Sequence, residues 1–201
     1  MRATRVELAE VVRTRRMVRA FTDEPVPWAT VERILETARH APSAGFSQGV
    51  AFVAVTDPAR RQQVAEIAGE RRYTATGHAR FVSGAPVQIV VCTSEQLYHE
   101  RYREPDKLRP HGSEIEWPVP YWHTDAGCAL MLLLLAAVDE GLATAFVGVF
   151  RWRELQALLG IPEHFLPIGV VMVGHPAPDK RSPSLARGRR RLADVVHREN
   201  W

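Results

Sequence analysis

The sequence predicts one domain of mixed helix and strand. Three observations carry that reading. A chain of 201 residues with no break in composition fits a single domain, and 46% hydrophobic with 24% charged residues is a globular balance. Four short apolar runs, at residues 50–55, 85–92, 143–149 and 167–174, read as strands. Segments with apolar residues at helical spacing separate them.

Residues 4–15 read as the first helix, with Val6, Leu8, Val11 and Val12 as an imperfect stripe and Thr4 as its cap. Arg13, Arg15, Arg16 and Arg19 then place four arginines within seven residues, ahead of Ala20 and Phe21. Such a run is either a solvated basic face or an anion site built where a helix gives way to a loop. Pro25 and Pro27 prime a second helix, whose Trp28, Val31, Ile34, Leu35 and Ala38 share one face. Residues 42–49, Pro42-Ser43-Ala44-Gly45-Phe46-Ser47-Gln48-Gly49, form a small, polar loop before the first strand. It is a plain connector or a place where backbone approaches a flat ligand. Asp57 and Pro58 start a third helix, running to about Ala68, and residues 69–84 read as helix with breaks.

Residues 94–121 read as a long connection holding Tyr98, Tyr102, Trp117 and Tyr121 among four prolines. Loops of that length serve as lids or pocket walls, or as surface excursions packed for stability. Thr124 and Asp125 read as the cap of an apolar helix over 126–138, stopped by Gly141. That helix is apolar nearly all round, which requires burial in the core or a subunit interface, and it reads as too short to span a bilayer. A short helix over 151–159 precedes the last strand, and residues 175–201 form a proline- and arginine-rich tail.

Several function classes are excluded. A net charge of +3 with no recognition motif argues against nucleic-acid binding, since the few tail arginines offer only weak, salt-sensitive attraction. Two cysteines, Cys92 and Cys128, make no CxxC motif, so a reducing cytoplasmic setting suits the chain. The eight histidines lack metal-ligand spacing, and no dinucleotide fingerprint, phosphate loop or nucleophile elbow occurs.

Four features stand in a fixed order: Arg15, Arg16, Arg19 and Phe21 ahead of Pro25 and Pro27; the 42–49 loop; the apolar helix with the run 141–149 after it; and the run 168–176 ending in Gly174, His175 and Pro176, with arginines beyond. Together they resemble the nitroreductase family of flavin enzymes, over nearly the whole chain. The resemblance implies an α+β fold, a three-layer α-β-α sandwich around a mainly antiparallel sheet, in a homodimer with flavin mononucleotide (FMN) at its interface. It implies that Arg15, Arg16, Met17 and Arg19 hold the phosphate, ribityl chain and ring edge, with Arg189 and Arg191 of the tail completing the phosphate site. Ser43, Ala44, Gly45 and Gln48 would lie along the flavin, and Gly148 and Val149 would offer backbone near its reactive nitrogen. Arg13 is left to the surface. The family often has Ser at Met17, Asn at Phe46 and Pro at Gly49.

The implied activity is a two-step hydride relay in which NADH or NADPH reduces a small aromatic, nitroaromatic or quinone acceptor. No side chain need act as nucleophile or metal ligand. Phe46 either faces the substrate or packs, and Tyr98, Tyr102 and Trp122 either stack on an aromatic acceptor or form a small core of their own. Alternatives are a diverged dehalogenase, desaturase or flavin-processing enzyme, or a flavin-binding protein without turnover.

Overall fold

The computed structural model describes residues 7–180 and 182–201; the expected cap Thr4 and stripe residue Val6 lie outside them. The four apolar runs form one four-stranded sheet: β1 (Val50–Val55), β2 (Val87–Thr93), β3 (Ala143–Val147) and β4 (Leu166–Gly174), in the order β1-β2-β4-β3. Every neighbouring pair is antiparallel, with Phe52 opposite Val91, Ile89 opposite Val171 and Phe146 opposite Val171. The β2–β4 register shifts between Val91 and Cys92, a local bulge.

Side chains alternate across the strands and so build two cores. Val87, Ile89 and Val91 join α2 (Trp28–Ala38) and α7 (Tyr121–Asp139) in the first. Val90, Cys92, Val170 and Met172 join α3 (Pro58–Ile67), α5 (Phe81–Gly84) and α8 (Trp152–Leu159) in the second. The breaks expected in residues 69–84 are real: α4 (Glu70–Thr74) and α5 are short, and Glu70 joins them. Its buried carboxylate accepts from the Val82 and Ser83 backbone N–H groups at 2.8 and 2.9 Å.

Three expectations are corrected. Residues 94–121 are not wholly a loop, because α6 (Glu95–Tyr102) forms there, with Ser94 as its cap. Only Tyr98 of α6 is buried, so no apolar stripe betrays the helix in the sequence. The apolar helix is α7, which begins at Tyr121 after Pro120, so Thr124 and Asp125 lie inside it rather than capping it. At 19 residues α7 is long enough to cross a membrane by length and composition alone. The reading as too short therefore falls; the better argument is that Leu133, Leu134, Ala136 and Ala137 pack against the sheet. The first helix, α1 (Leu8–Thr14), begins after Glu7, and Gly141 follows the α7 terminus with φ 76° as expected.

The remainder of 94–121 is tied to α6 by Glu114. Its carboxylate accepts from Trp117 Nε1 at 2.7 Å and Arg103 Nε at 3.0 Å, and pairs with His99 Nδ1. His99 Nε2 also lies 3.3 Å from Glu95. The hydrogen bond to Glu114 raises the His99 pKa above its ordinary 6.5. Burial pushes Glu114 up, but Trp117, His99 and Arg103 outweigh it and leave it below 4.5.

These directions fix the pH window in which the segment is held. A raised histidine stabilises fully below its unfolded pKa and loses that contribution as pH rises through the folded value. A lowered carboxylate stabilises above its unfolded pKa and loses it as pH falls through the folded value. The segment is therefore held best between about 4.5 and 6.5, the two ordinary values. Unfolding monitored across pH should show His99→Gln flattening the alkaline decline while keeping the acid one; an unchanged alkaline limb would show that His99 contributes nothing. Glycines supply a second test. A Cβ on Gly169 would lie 2.4 Å from the Phe146 ring and 2.6 Å from the Val147 carbonyl oxygen, whereas one on Gly148 meets nothing within 4 Å. Gly169→Ala should cost about 1–3 kcal/mol in chemical denaturation, and Gly148→Ala less than about 0.5 kcal/mol.

Candidate functional site

The arginine stretch is not a helix face. α1 stops at Thr14, and the chain then runs extended along the edge of the sheet, where Met17 forms a parallel bridge to Thr144 of β3. The Val18 N–H donates to the Thr144 carbonyl at 2.8 Å. Phe21 bridges Pro176, the Thr22 N–H donates to the His175 carbonyl at 3.0 Å, and the Ala177 N–H donates to the Ala20 carbonyl at 3.0 Å. Val18 and Ala20 are buried anchors, and the Met17 side chain packs on the first core. This packing accounts for an apolar residue at this position, which remains half-exposed.

Held in this way, the arginines separate into groups. Arg13 pairs with Glu10 at the surface, as expected. Arg16 lies 4.0 Å from Asp179, a carboxylate with only 4% of its side chain exposed that also accepts from the Arg19 backbone N–H at 2.8 Å. Arg15 and Arg19 are half-buried residues, and their guanidiniums have no hydrogen-bond or ion-pair partner among the described residues. Permanent cations on a pinned backbone, with no carboxylate paired to either guanidinium among the described residues, suit a phosphate or another anionic group.

The 42–49 loop is equally fixed. Ala44–Phe46 make a single 3-10 turn, and Gly45, Phe46 and Gln48 all sit in the left-handed region at φ 63°, 59° and 52°. The Gln48 N–H donates to Ser43 Oγ at 3.0 Å, and Ser47 Oγ donates to the Ala44 carbonyl at 2.6 Å. The Ala44 N–H donates to Asp125 Oδ2 at 2.7 Å, and Arg101 Nε donates to the Gly45 carbonyl at 2.9 Å. Phe46 is 73% exposed, which removes the reading of it as an internal packing residue.

Tyr98, Tyr102 and Trp122 do not form an open stacking platform. Tyr98 is fully buried, its hydroxyl donating to Asp125 at 2.8 Å, and Trp122 is 9% exposed. Both pack edge-on around Trp117, so these aromatics are the small core of the 94–121 segment. Burial, then the Asp125 contact, pushes the Tyr98 phenol pKa up. Tyr102 is half-buried, 4.6 Å from Trp117 by ring centroids, and packed on Gly45. Arg101, which holds the loop, is itself braced by Asp106, whose pKa the guanidinium lowers to about 2. Asp125 and Arg101 are the functional-site residues that the sequence reading missed. Asp125 was visible only as an apparent cap, and Arg101 as one charge among many.

The two halves of the site stand apart in one chain. Met17 docks beyond β3 at the Thr144–Val173 level, while the loop enters β1 at the Val50–Thr93 level. Four inter-strand steps make about 19 Å across the sheet, and six residues make about 20 Å along it. Gly148 and Val149 follow β3. Of the tail residues, Arg191 pairs with Asp194 at 2.9 Å, and no hydrogen bond or ion pair joins it or Arg189 to the Arg15–Arg19 stretch among the described residues. A cavity of about 590 Å³, bordered by His99, Arg103, Trp122, Trp152 and His164, includes none of the expected cofactor residues. No group of metal-ligating side chains occurs among the described residues.

Comparison with known proteins places the chain. It is 29% identical over 199 residues to a provisionally named NADH dehydrogenase/NAD(P)H nitroreductase of Archaeoglobus fulgidus, covering 97% of this chain and 99% of that one. It is 29% identical to an FMN reductase [NAD(P)H] of Bacillus subtilis, covering 85% and 66% of the two chains. It is 28% identical to an iodotyrosine deiodinase of Nematostella vectensis, covering 93% and 74%. A nitroreductase family protein of Streptococcus pneumoniae shares the fold with a TM-score of 0.76 at 24% identity, over 96% of this chain and all of that one. The profile of the nitroreductase family matches residues 12–175, and the chain belongs to that family.

Proposed function

We propose that the protein is an FMN-dependent oxidoreductase that reduces quinones, nitroaromatics or related conjugated acceptors with NADH or NADPH, and that it works as a homodimer. One observation carries the cofactor reading: Arg15 and Arg19 present guanidiniums without partners among the described residues from a backbone pinned to β3. When bound, the flavin supplies the two-electron chemistry between nicotinamide and acceptor. This chain's residues bind and orient it. Arg15, Arg16 and Arg19 neutralise phosphate and the electron-rich ring edge, and Arg189 and Arg191 add charge once the tail is docked. The Ser43–Gln48 backbone lies along the ring, and Gly148, with open space where a Cβ would be, lets backbone come close.

The separation of the loop from the arginines supports a second copy, since one small cofactor cannot touch both within one chain. A fitting surface exists. On α7, Met131 is 46% exposed, and Cys128, Leu135 and Val138 share its face half-buried. Leu8 and Val12 of neighbouring α1 are exposed as well. The helices on both sheet faces would then be the outer layers of a three-layer sandwich, with the dimer contact on the α7 side. A reducing, cytoplasmic location fits two free cysteines, of which Cys92 is pushed to about 12 by burial and is inert.

The likeness to an iodotyrosine deiodinase favours one second reading, reductive dehalogenation of an aromatic substrate. Turnover of NADH and NADPH with a quinone, a nitroaromatic and a halogenated phenol separates the two. The purified protein should be yellow and release FMN on denaturation; colourless protein that takes up no added FMN would defeat the cofactor reading. Arg19→Ala should raise the FMN Kd about tenfold or more by removing a charge-assisted contact, with the melting temperature nearly unchanged. Equal affinity in variant and parent would show that Arg19 does not hold the cofactor.

A further inference from the structure

We propose that Asp125 is a positioning residue whose buried carboxylate, with Arg101, presets the 43–48 loop in the one conformation that receives the flavin. This inference rests on the flavin reading above. The loop needs outside support. Left-handed backbone is strained for an ordinary residue, and Phe46 and Gln48 both adopt it, at φ 59° and 52°. Phe46 is 73% exposed, so its own side chain supplies no packing in return.

The support comes from two helices. Asp125, 7% exposed in the second turn of α7, accepts from the Ala44 N–H at 2.7 Å and from the Tyr98 hydroxyl at 2.8 Å. A carboxylate taken out of water needs such donors, and the nearby N-terminal end of α7 favours its negative charge. Tyr98, Arg101 and Tyr102 lie three and four residues apart on α6 and so face the loop together. Arg101 holds the Gly45 carbonyl, and Tyr102 fills the space where a Gly45 Cβ would stand, 2.5 Å from the ring. The Gly45 N–H has no partner among the described residues and is left as a donor for the ligand. Asp125 therefore acts through the loop, without itself touching cofactor or substrate.

The test measures FMN affinity, the visible absorption band of bound FMN at saturation, and melting temperature in four variants. Asp125→Ala should weaken FMN binding at least tenfold and alter the bound flavin's band, because the loop then contacts the ring differently. Asp125→Asn retains an acceptor oxygen for the Ala44 N–H and should recover most of the affinity. A residue that only stabilised the fold would lower the melting temperature without moving the band. Wild-type affinity and spectrum in Asp125→Ala would overturn the proposal. Should that variant not fold, Tyr98→Phe and Arg101→Gln decide it: each should weaken binding several-fold and shift the band, and parental values in both would overturn it. A wild-type protein that takes up no FMN is recognised first, in its own titration, and brings down the cofactor reading together with this one.

Discussion

The central constraint is that β2 and β4 are covered on both faces. All seven residues of β2 are buried, and β4 is buried over most of its length. Strands in that position can hold only apolar side chains or polar ones whose partners lie within reach. Gln88 and Thr93 are the polar residues of β2: the Gln88 amide donates to the Arg61 and Val82 carbonyls, and the Thr93 hydroxyl donates to the Trp122 carbonyl. Ligand chemistry is thus displaced to the edges and ends of the sheet. The arginine stretch lies along the β3 edge, where its backbone also pairs the otherwise open strand. The 43–48 loop lies at the entry to β1, on the other edge.

α7 is the strut between those two places. Its first turns hold the loop through Asp125, and its last turn leads by Gly141 into β3, where Met17 and Val18 dock. Nineteen residues at 1.5 Å each make it about 28 Å long. A twofold interface is self-complementary, and where its axis runs perpendicular to a helix, that helix meets its own copy in opposite directions. Under the proposed homodimer, the loop end of one α7 would then approach the arginine end of the other. The uncovered stripe around Met131 and the separated half-sites are in that view two consequences of one arrangement.

What could be read from the sequence follows the same physics. β1 was legible to the residue because Val50–Val55 is a β-branched and aromatic run between turn residues. α2 was legible because Val31, Ile34 and Ala38 recur at helical spacing and are fully buried. α6 was not, because its buried face is Tyr98 alone and its other contacts are polar ones to a distant loop. The start of α7 was hidden by two prolines, Pro118 and Pro120, that precede rather than break it. Within the site, Arg15, Arg16 and Arg19 were visible as charge, but not the extended backbone that presents them. The structure also assigns Met17 to packing, which composition alone could not do.

The exposed aromatics complete the argument. Phe46 follows Gly45 in the loop half of the site and is 73% exposed; Phe150 follows Val149 in the other half and is 86% exposed. Isolated apolar residues at a surface need no explanation, but these two stand next to the backbone positions expected along the flavin. Phe46 is also held there in a conformation that disfavours a bulky side chain. If the half-sites meet across a dimer, Phe46 comes from one copy and Phe150 from the other, and the site gains an apolar wall on each side. Such walls suit a flat conjugated ring and exclude water from it. A phenylalanine where the family often carries a hydrogen-bonding asparagine would then exchange a polar contact to the cofactor for an apolar contact to the acceptor. Acceptor choice should accordingly depend more on Phe46 than on the buried aromatics of the 94–121 segment, which are already occupied with one another.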